Sequence, residues 1–260
     1  MDRSLWVAKT GLEAQQMRLA TISNNLANAN TTGYKAGRAE FQDLMYQNVR
    51  NAGAAASADT TMPSGLQLGT GVKIEGVQKL HGQGNLQSTE NQLDIAIQGK
   101  GFFQIQLPNG DVAYSRDGSF KTNQNGDLVN SSGHLLLPGF NVPANSTGVS
   151  ITPDGLVSAT IAGQAAPQQL GQIQLASFIN PAGLSTVGGN LFTETAASGA
   201  PLVGLPDNDG MGALNQGFLE ASNVNTVEQL ISMIEAQRAY EMNSKAISTS
   251  DQMLQRLANQ

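Results

Sequence analysis

Mostly apolar residues near the start of the chain recur at alternating spacings of three and four. They are Leu5, Ala8, Leu12, Gln15, Leu19, Ile22 and Leu26. This is the a/d pattern of a coiled-coil seam, sustained over about three heptads. We expect a helix from about Ser4, its N-cap, to Asn28, where turn-forming residues that end at Gly33 stop it.

A second seam lies near the end of the chain, with one apolar residue at every seventh position: Met233, Tyr240, Ile247 and Leu254. Such a narrow stripe suits a helical partner, although an ordinary amphipathic surface helix is the alternative. Asn225 and Glu228 form a capping-box pattern, and no Pro or Gly follows up to residue 260. One long terminal helix is therefore predicted.

Polar residues interrupt the second seam at Gln237, Ser244 and Asp251. The two seams alone bury too little apolar surface to offset about 1–2 kcal/mol of backbone entropy for each ordered residue. Isolated helices are marginal in water without partners. We therefore predict that both terminal helices are largely unfolded in the monomer and fold on assembly.

Between residues 72 and 222 the apolar pattern changes to period two, as in Leu93, Ile95 and Ile97. Short strand candidates are separated by the turn dipeptides Asn109-Gly110, Asn125-Gly126 and Asp154-Gly155. The predicted fold class is α+β. Its N- and C-terminal helices pair as a coiled-coil-like domain, and an antiparallel β-rich domain is inserted between them.

The stretch between the first helix and the β region is the least regular part of the chain. Phe41, Leu44 and Met45 stand at helical spacing, whereas residues 51–71 have no apolar period. This second part is either a flexible linker or a long loop that becomes ordered against a neighbouring subunit. The predicted domains are residues 1–30 with 223–260, residues 31–71, and residues 72–222.

Charged residues make up only 13% of the chain, against roughly 25% in ordinary soluble proteins, and the net charge is −6. The low charge is either compositional drift or a sign of surface buried against identical neighbours. The acidic balance argues against a nucleic-acid partner, because phosphate binding requires clustered Lys and Arg. The absence of cysteine excludes disulfides and thiolate metal sites.

The sequence offers little for catalysis, cofactor binding or targeting. His81 and His134 have no metal-ligand spacing and are interpreted as loop or surface residues. The Gly82-Gln83-Gly84 and Gly99-Lys100-Gly101 triplets complete no nucleotide-binding motif. We expect no enzyme activity, no cofactor, no metal and no small-molecule substrate. Charges interrupt every apolar run near the start, so no cleaved signal peptide is predicted; they are Arg3, Lys9, Glu13 and Arg18.

Three ordered motifs, spread over essentially the whole chain, resemble those of the bacterial flagellar basal-body rod and hook family. They comprise Asn24–Lys35 followed by Phe41, then Leu93–Phe103 with Tyr114–Phe120, and finally Ser222–Asn225 with Gln237–Glu241. The region around residues 46–67 resembles most closely the distal-rod members of that family, although residues 51–59 depart from the family pattern.

The resemblance implies a structural subunit of the flagellar distal rod. Such subunits self-assemble into a rigid tubular helical polymer that transmits torque from motor to hook and encloses the export channel. The terminal helices are then expected to line the channel, with the β domain outside. The location implied is the periplasm-spanning rod of the basal body, reached through the flagellar type III export apparatus.

The partners implied are further copies of the chain, the proximal rod proteins, the hook or hook–rod region, and the surrounding ring bushing in the outer membrane and peptidoglycan. The predicted rod-stiffening segment includes Tyr46, Gln47, Pro63, Ser64 and Gly65. The predicted self-assembly residues are Leu5, Leu12, Leu19, Ile22, Asn24, Asn25, Leu26, Asn28, Gly33, Phe41, Met233, Tyr240, Ile247 and Leu254.

A rival interpretation is an exported β-domain binding or adhesive module with helical tails. Such a module would need a concave pocket that presents aromatic side chains, and aromatic residues make up only 5% of this chain.

Overall fold

Two helices and a β-rich middle region form the α+β fold that the sequence predicts. The computed structural model describes residues 3–50, 55–57, 60–61, 64–164, 166–208 and 210–258. Helix α1 is Arg3–Ala27 and helix α2 is Thr226–Ala258. Neither helix, over its described length, is long and apolar enough to cross a membrane.

The start of α2 is capped as predicted. The backbone N–H groups of Val227 and Glu228 donate to Asn225 Oδ1 at 3.2 and 3.4 Å. These bonds satisfy two of the amides that a helix leaves unpaired in its first turn. The predicted cap of α1 is wrong, because Ser4 lies inside the helix, which begins by Arg3.

The strands described between the helices are short. In chain order they are β1 (Gly37–Asp43), β2 (Gln47–Arg50), β3 (Ala55–Ser57), β4 (Thr60–Thr61), β5 (Leu66–Leu68), β6 (Val72–Lys79), β7 (Leu86–Ser88), β8 (Ile95–Gln98), β9 (Phe102–Gln106), β10 (Val112–Ser115), β11 (Lys121–Thr122), β12 (Leu128–Val129), β13 (Leu135–Leu137), β14 (Ser146–Ile151), β15 (Leu156–Ile161), β16 (Gln168–Gln172), β17 (Leu175–Ser177), β18 (Ser185–Gly188), β19 (Leu191–Thr193), β20 (Leu202–Gly204), β21 (Ala213–Gln216) and β22 (Phe218–Glu220). One turn of 3₁₀ helix, Pro181–Gly183, precedes β18.

The chain divides into two compact units. The helical unit contains residues 1–27, 37–78 and 225–260, and the β unit contains residues 28–36 and 79–224. Each unit is built from segments that are distant in sequence, so long-range contacts hold both together.

In the helical unit, β1 pairs with β6, and β1 also contacts α1. The helical spacing of Phe41, Leu44 and Met45 is therefore misleading, because Phe41 lies in β1. Backbone pairing decides the structure here: the N–H of Leu44 donates to the carbonyl of Gly71 at 2.9 Å. Farther along, β2 pairs antiparallel with β5, and β3 with β4.

The β unit is organised around one large sheet. Its strand order is β11-β12-β13-β9-β10-β19-β18, and β17 joins β9 to β20. All three predicted hairpins are confirmed, as β9–β10, β11–β12 and β14–β15. The tight turns suit Gly110, Gly126 and Gly155, each of which has a positive φ.

Consecutive residues of β9 contribute to two different cores, because side chains alternate between the faces of a strand. Phe103 and Ile105 pack in the larger core with Ile95 and Ile97 of β8. Phe102 instead joins a smaller aromatic cluster with Tyr114, Phe178 and Phe192. The central strand is therefore buried on both faces, and the sheet forms a rigid support for the loops at its edges.

Candidate functional site

Helices α1 and α2 are antiparallel and approach closely through small residues. A Cβ placed on Gly11 would lie 3.1 Å from Asn243 Nδ2, and Ala14 and Ala236 are both buried. Farther along the pair, Arg18 forms an ion pair with Glu235 at 3.6 Å. Both of these side chains are largely exposed, so the ion pair contributes less to stability than the close packing does.

The side of α1 that meets the β1–β6 ribbon is polar. Asn25, which is buried, donates from Nδ2 to the Gly37 carbonyl and accepts the Gly37 N–H at Oδ1, both at 2.8 Å. Near the other end of α1, the N–H of Val72 donates to Thr10 Oγ1 at 3.3 Å. These bonds satisfy backbone groups that would otherwise be left without partners.

The residues predicted for helix–helix packing are mostly half-buried in the single chain. Ile22 is buried, whereas Leu5, Leu12, Leu19 and Leu26 are half-buried, as are Met233, Tyr240 and Ile247 of α2. Leu254 is exposed. Among the described side chains of the two helices, only Ala14, Ile22 and Ala236 are buried apolar ones. Each helix therefore covers its partner only in part.

The described part of the chain leaves an apolar stripe on α2 about half exposed. Val227, Leu230, Ile231 and Ile234 are between 47% and 64% exposed. At about 100° per residue, Val227 and Ile234 lie roughly opposite Ala236, the residue most buried in α2. Contiguous exposed apolar surface of this kind marks an interaction site. The seven-residue pattern did not identify this stripe, although its spacing of three, one and three is visible in the sequence.

The remaining predicted assembly residues lie at the end of α1 or beyond it in the chain. Asn24 is exposed at the end of α1, and Phe41 is exposed on β1. Asn28 accepts the N–H of Thr31 at its carbonyl, at 3.2 Å, in the turn that follows α1. Their role in assembly stays a prediction.

The predicted rod-stiffening segment contains the β2–β5 hairpin. Tyr46 precedes β2 and Gln47 begins it, while Ser64 and Gly65 precede β5, and all four are exposed. Pro63 lies outside the described residues. Apolar side chains along the hairpin are uncovered as well: Met45, Val49, Leu66 and Leu68.

Two of the sequence motifs meet at Gly33 in the β unit. Gly33 has φ +69°, and a Cβ there would lie 2.6 Å from the backbone nitrogen of Asp117. Only glycine fits such a position. Its N–H donates to the carbonyl of Glu220 at 2.7 Å, which joins the turn after α1 to β22.

Beside Gly33 lies a buried cluster of three charged side chains. Lys35 Nζ is 2.5 Å from Glu220 Oε1, and Arg116 Nη1 is 3.3 Å from Glu220 Oε2. Glu220 Oε1 also accepts the N–H of Gly84 at 2.8 Å. Two cations thus share one carboxylate, and all three side chains are almost completely inaccessible to solvent.

Backbone carbonyls complete the cluster. Lys35 donates to Gly82, and Arg116 donates to Gly99 at 2.6 Å. Burial lowers the pKa of Lys35, and the neighbouring carboxylate of Glu220 opposes that shift. Among the described residues, Arg116 Nε is buried without a hydrogen-bond partner. The other bonds of the cluster run between its own members and to the backbone, which is typical of a structural cluster.

His81 lies in the loop between β6 and β7, as the sequence predicts, but its side chain is half-buried rather than exposed at the surface. Its ring packs edge-on against Phe102 and Phe192, with centroids 5.6 and 5.4 Å away, and its buried Nδ1 has no hydrogen-bond partner. Burial lowers the pKa of His81 to about 4, and the nearby charges of Lys35 and Arg116 add to the effect. His81 is therefore neutral at physiological pH.

The sequence patterns did not predict that Glu220 and His81 have buried, structural roles. Each stands alone among apolar or small neighbours, without a motif or period. One acid in the 13-residue stretch from Asn215 to Val227 equals the average for the chain, which has 20 Asp and Glu among 260 residues, so the local density of charge gave no signal for Glu220 either.

The Glu220→Gln substitution should destabilise the β unit by about 3–5 kcal/mol, because it leaves two buried cations without their counter-charge. Chemical unfolding followed by near-UV circular dichroism would measure the change. Glu235→Gln, which removes only an exposed ion pair, should cost less than about 1 kcal/mol. Equal effects of the two substitutions would contradict the role assigned to Glu220.

The pKa of His81 also predicts a pH dependence. Because the folded pKa is about 4 and the ordinary value is 6.5, the unfolded state takes up the proton first on acidification. The contribution of His81 to stability is therefore complete above pH 6.5 and is lost as the pH falls towards 4. The midpoint of chemical unfolding, measured across this pH range, should show the loss of the His81 contribution in the wild type and not in His81→Phe. The control variant His134→Gln should behave like the wild type.

Family models match the chain in three places. The matched ranges contain most of the predicted self-assembly residues. Residues 5–35 match the flagella basal body rod protein model, residues 96–159 match the D1 domain of flagellar hook protein FlgE/F/G, and residues 215–260 match the C-terminal model of the flagellar basal body rod FlgEFG protein. The matches cover most of α1 with the turn that follows it, strands β9 to β14 of the β unit, and α2.

Curated relatives extend the similarity to the full length. The chain is 54% identical to flagellar basal-body rod protein FlgG of Buchnera aphidicola subsp. Acyrthosiphon pisum, over 99% of both chains. It is 51% identical to that of Borreliella burgdorferi, over 98% of this chain and 97% of the relative. The protein of the same name from Bacillus subtilis is 38% identical, over 100% and 99%. The chain therefore belongs to the flagellar basal-body rod protein family.

Proposed function

We propose that this chain is a structural subunit of the flagellar distal rod and has no enzymatic activity. Copies of it self-assemble into a rigid tubular helical polymer that encloses the export channel and transmits torque from the motor to the hook. The observation that carries this proposal is the uncovered apolar stripe of Val227, Leu230, Ile231 and Ile234 on α2.

The stripe and the α1-facing side of α2 together make a helix with two apolar sides. One side is half-covered by α1, in a coiled-coil-like pairing, and the other requires a partner from outside the chain. A second copy is the simplest partner, because its helices carry matching half-covered surfaces. Contacts between different surfaces of identical subunits repeat without limit unless they close into a ring, and an open repeat is a helical polymer.

The β2–β5 hairpin is proposed to stiffen this polymer. Its exposed apolar residues, among them Tyr46 and Val49, offer more surface than a solvated loop requires. A paired hairpin resists bending better than an irregular loop does. Bending a rod requires neighbouring subunits to slide past one another. A hairpin that packs against an adjacent subunit opposes that sliding.

Family membership supports the remaining assignments. The polymer is proposed to join proximal rod proteins at one end and the hook or hook–rod region at the other, inside the ring bushing of the outer membrane and peptidoglycan. The protein then acts in the basal body, in the rod that spans the periplasm. Its export without a cleaved signal peptide stays a prediction from the sequence.

No observation favours the rival binding module. A groove of about 290 Å³ in the β unit is lined by backbone and small polar groups around Asn30, Thr32 and Gln87, together with Leu219 and Glu220. None of its lining residues is aromatic. The groove therefore lacks the stacking surface that a lectin-like site would use.

Substitutions on the helices should abolish assembly and leave the β unit folded. In Leu19→Asp and Ile234→Glu, a carboxylate would be buried at a helix contact, at a cost of several kcal/mol. The critical concentration for rod formation should rise by at least about a hundredfold, because a factor of ten corresponds to about 1.4 kcal/mol. Electron microscopy and sedimentation at rising concentration would measure it.

The control adds the same charge at an exposed turn of the β unit, in Gln124→Glu, and should assemble normally. Rods of normal length and yield from Leu19→Asp and Ile234→Glu, with circular dichroism like that of the wild type, would count decisively against the proposal.

The monomer should show unequal protection in hydrogen exchange. The helices bury few apolar side chains, so their amides at residues 5–26 and 226–258 should exchange rapidly before assembly. The amides of β8 and β9, which lie in the buried core, should be protected. Assembly should slow exchange in the helices. Full protection of residues 5–26 in the monomer would overturn the idea that these helices fold on assembly.

A further inference from the structure

Helix α2 extends past the point at which the described part of α1 begins. The two helices are antiparallel, with Gly11 against Asn243 and Ser4 in the same groove as Ala246 and Ser250. The residues from Asp251 to Ala258 therefore continue the α2 side of the pair for about 12 Å beyond the described part of α1, at 1.5 Å per residue. Leu254, a member of the predicted seam, is exposed on this extension.

A groove lies along α2 beside the first turns of α1. Its volume is about 580 Å³, and its lining includes Met242, Ala246, Thr249 and Met253. These four residues stand at spacings of four, three and four, which is the spacing that receives another helix. Met242 and Met253 are 66% and 60% exposed, so two flexible apolar side chains stand uncovered at its sides.

The only tryptophan of the chain lies on the first turns of α1. Trp6 is 48% exposed and does not line the groove. Lys9 Nζ lies 5.4 Å from the centre of its ring and is itself paired with Glu13. A large exposed indole is a typical interface anchor, because it offers much contact area for few rotatable bonds.

We propose that the Trp6 end of α1 from a second copy of this chain occupies the Met242–Met253 groove. The groove continues the established α1–α2 interface, so an α1 helix is the element whose shape matches it. Methionine sulfur makes favourable contacts with aromatic rings, which suits an indole between Met242 and Met253. This inference rests on the proposed function, because it supplies one of the contacts that hold the polymer together.

The contact is head-to-tail in character. Trp6 is a knob on one surface of the subunit and the groove is a socket on another. An arrangement in which each copy gives one knob and receives one from a different neighbour propagates along the assembly. Mutual exchange of the two knobs between two copies would instead give a closed dimer.

Fluorescence of the full-length protein tests the burial of Trp6. Because the chain has a single tryptophan, its emission reports on residue 6 alone. Emission should shift to shorter wavelength when rods form.

Met253→Gln should raise the critical concentration about tenfold, whereas Gln124→Glu should leave it unchanged. Rods that form with unshifted Trp6 emission would overturn this inference and leave the proposed function standing. Failure of the wild type to form rods would count against the proposed function itself.

Crosslinking tests the partner. The chain lacks cysteine, so Lys9→Cys and Thr249→Cys can be made as separate single-cysteine variants that both keep Trp6. Rods assembled from an equal mixture and treated with a short bismaleimide should give a crosslinked dimer band that joins position 9 of one chain to position 249 of another. The pair Gln16→Cys with Thr249→Cys, two turns farther along α1, should give none. Absence of the 9–249 product in rods, or its presence only in a soluble closed dimer, would overturn the proposal.

Discussion

The β unit depends on the carboxylate of Glu220, which neutralises two buried cations. Lys35 and Arg116 would each cost several kcal/mol to bury alone, and Glu220 is the acid that contacts both. The main chain of the same residue accepts the Gly33 N–H. One residue therefore joins the turn after α1, the loop after β10 and strand β22. Because two cations share it, the position tolerates no substitution that removes its charge.

The helical unit is under a different constraint, because its two helices cover each other's apolar side chains only in part. Small residues such as Gly11 and Ala236 let the helices approach closely, yet most larger apolar side chains along both helices stay half-covered or exposed. The two units thus divide the work: the β unit folds around its own cores, and the helices retain apolar surface for contacts with other copies. In the proposed polymer, the subunit contacts its neighbours through the helical unit, which includes the β2–β5 hairpin.

Local sequence patterns correctly predicted those elements whose structure depends on interactions between near neighbours in the chain. Turn dipeptides such as Asn109-Gly110 gave the hairpins correctly, because a short turn with glycine at its positive-φ position fixes the pairing of the flanking strands. The position of Phe41 was misread as helical, because its strand forms by pairing with β6, about thirty residues farther along the chain. Glu220 and Arg116 are 104 positions apart, and no periodicity connects them. The uncovered stripe around Ile234 was not predicted from the sequence, because a single apolar seam was assigned to each helix.

The distance along the chain between Lys35 and Glu220 has a consequence for the order of events in the proposed export of the protein. The two residues are 185 positions apart, so the pair forms only when nearly the whole polypeptide is available. In a chain that passes end-first through a narrow conduit, Lys35 and Arg116 remain hydrated until Glu220 reaches them. Closing so long a loop is slow compared with forming a hairpin. The β unit would therefore complete its fold only after Glu220, the last of these three charged residues in chain order, has emerged.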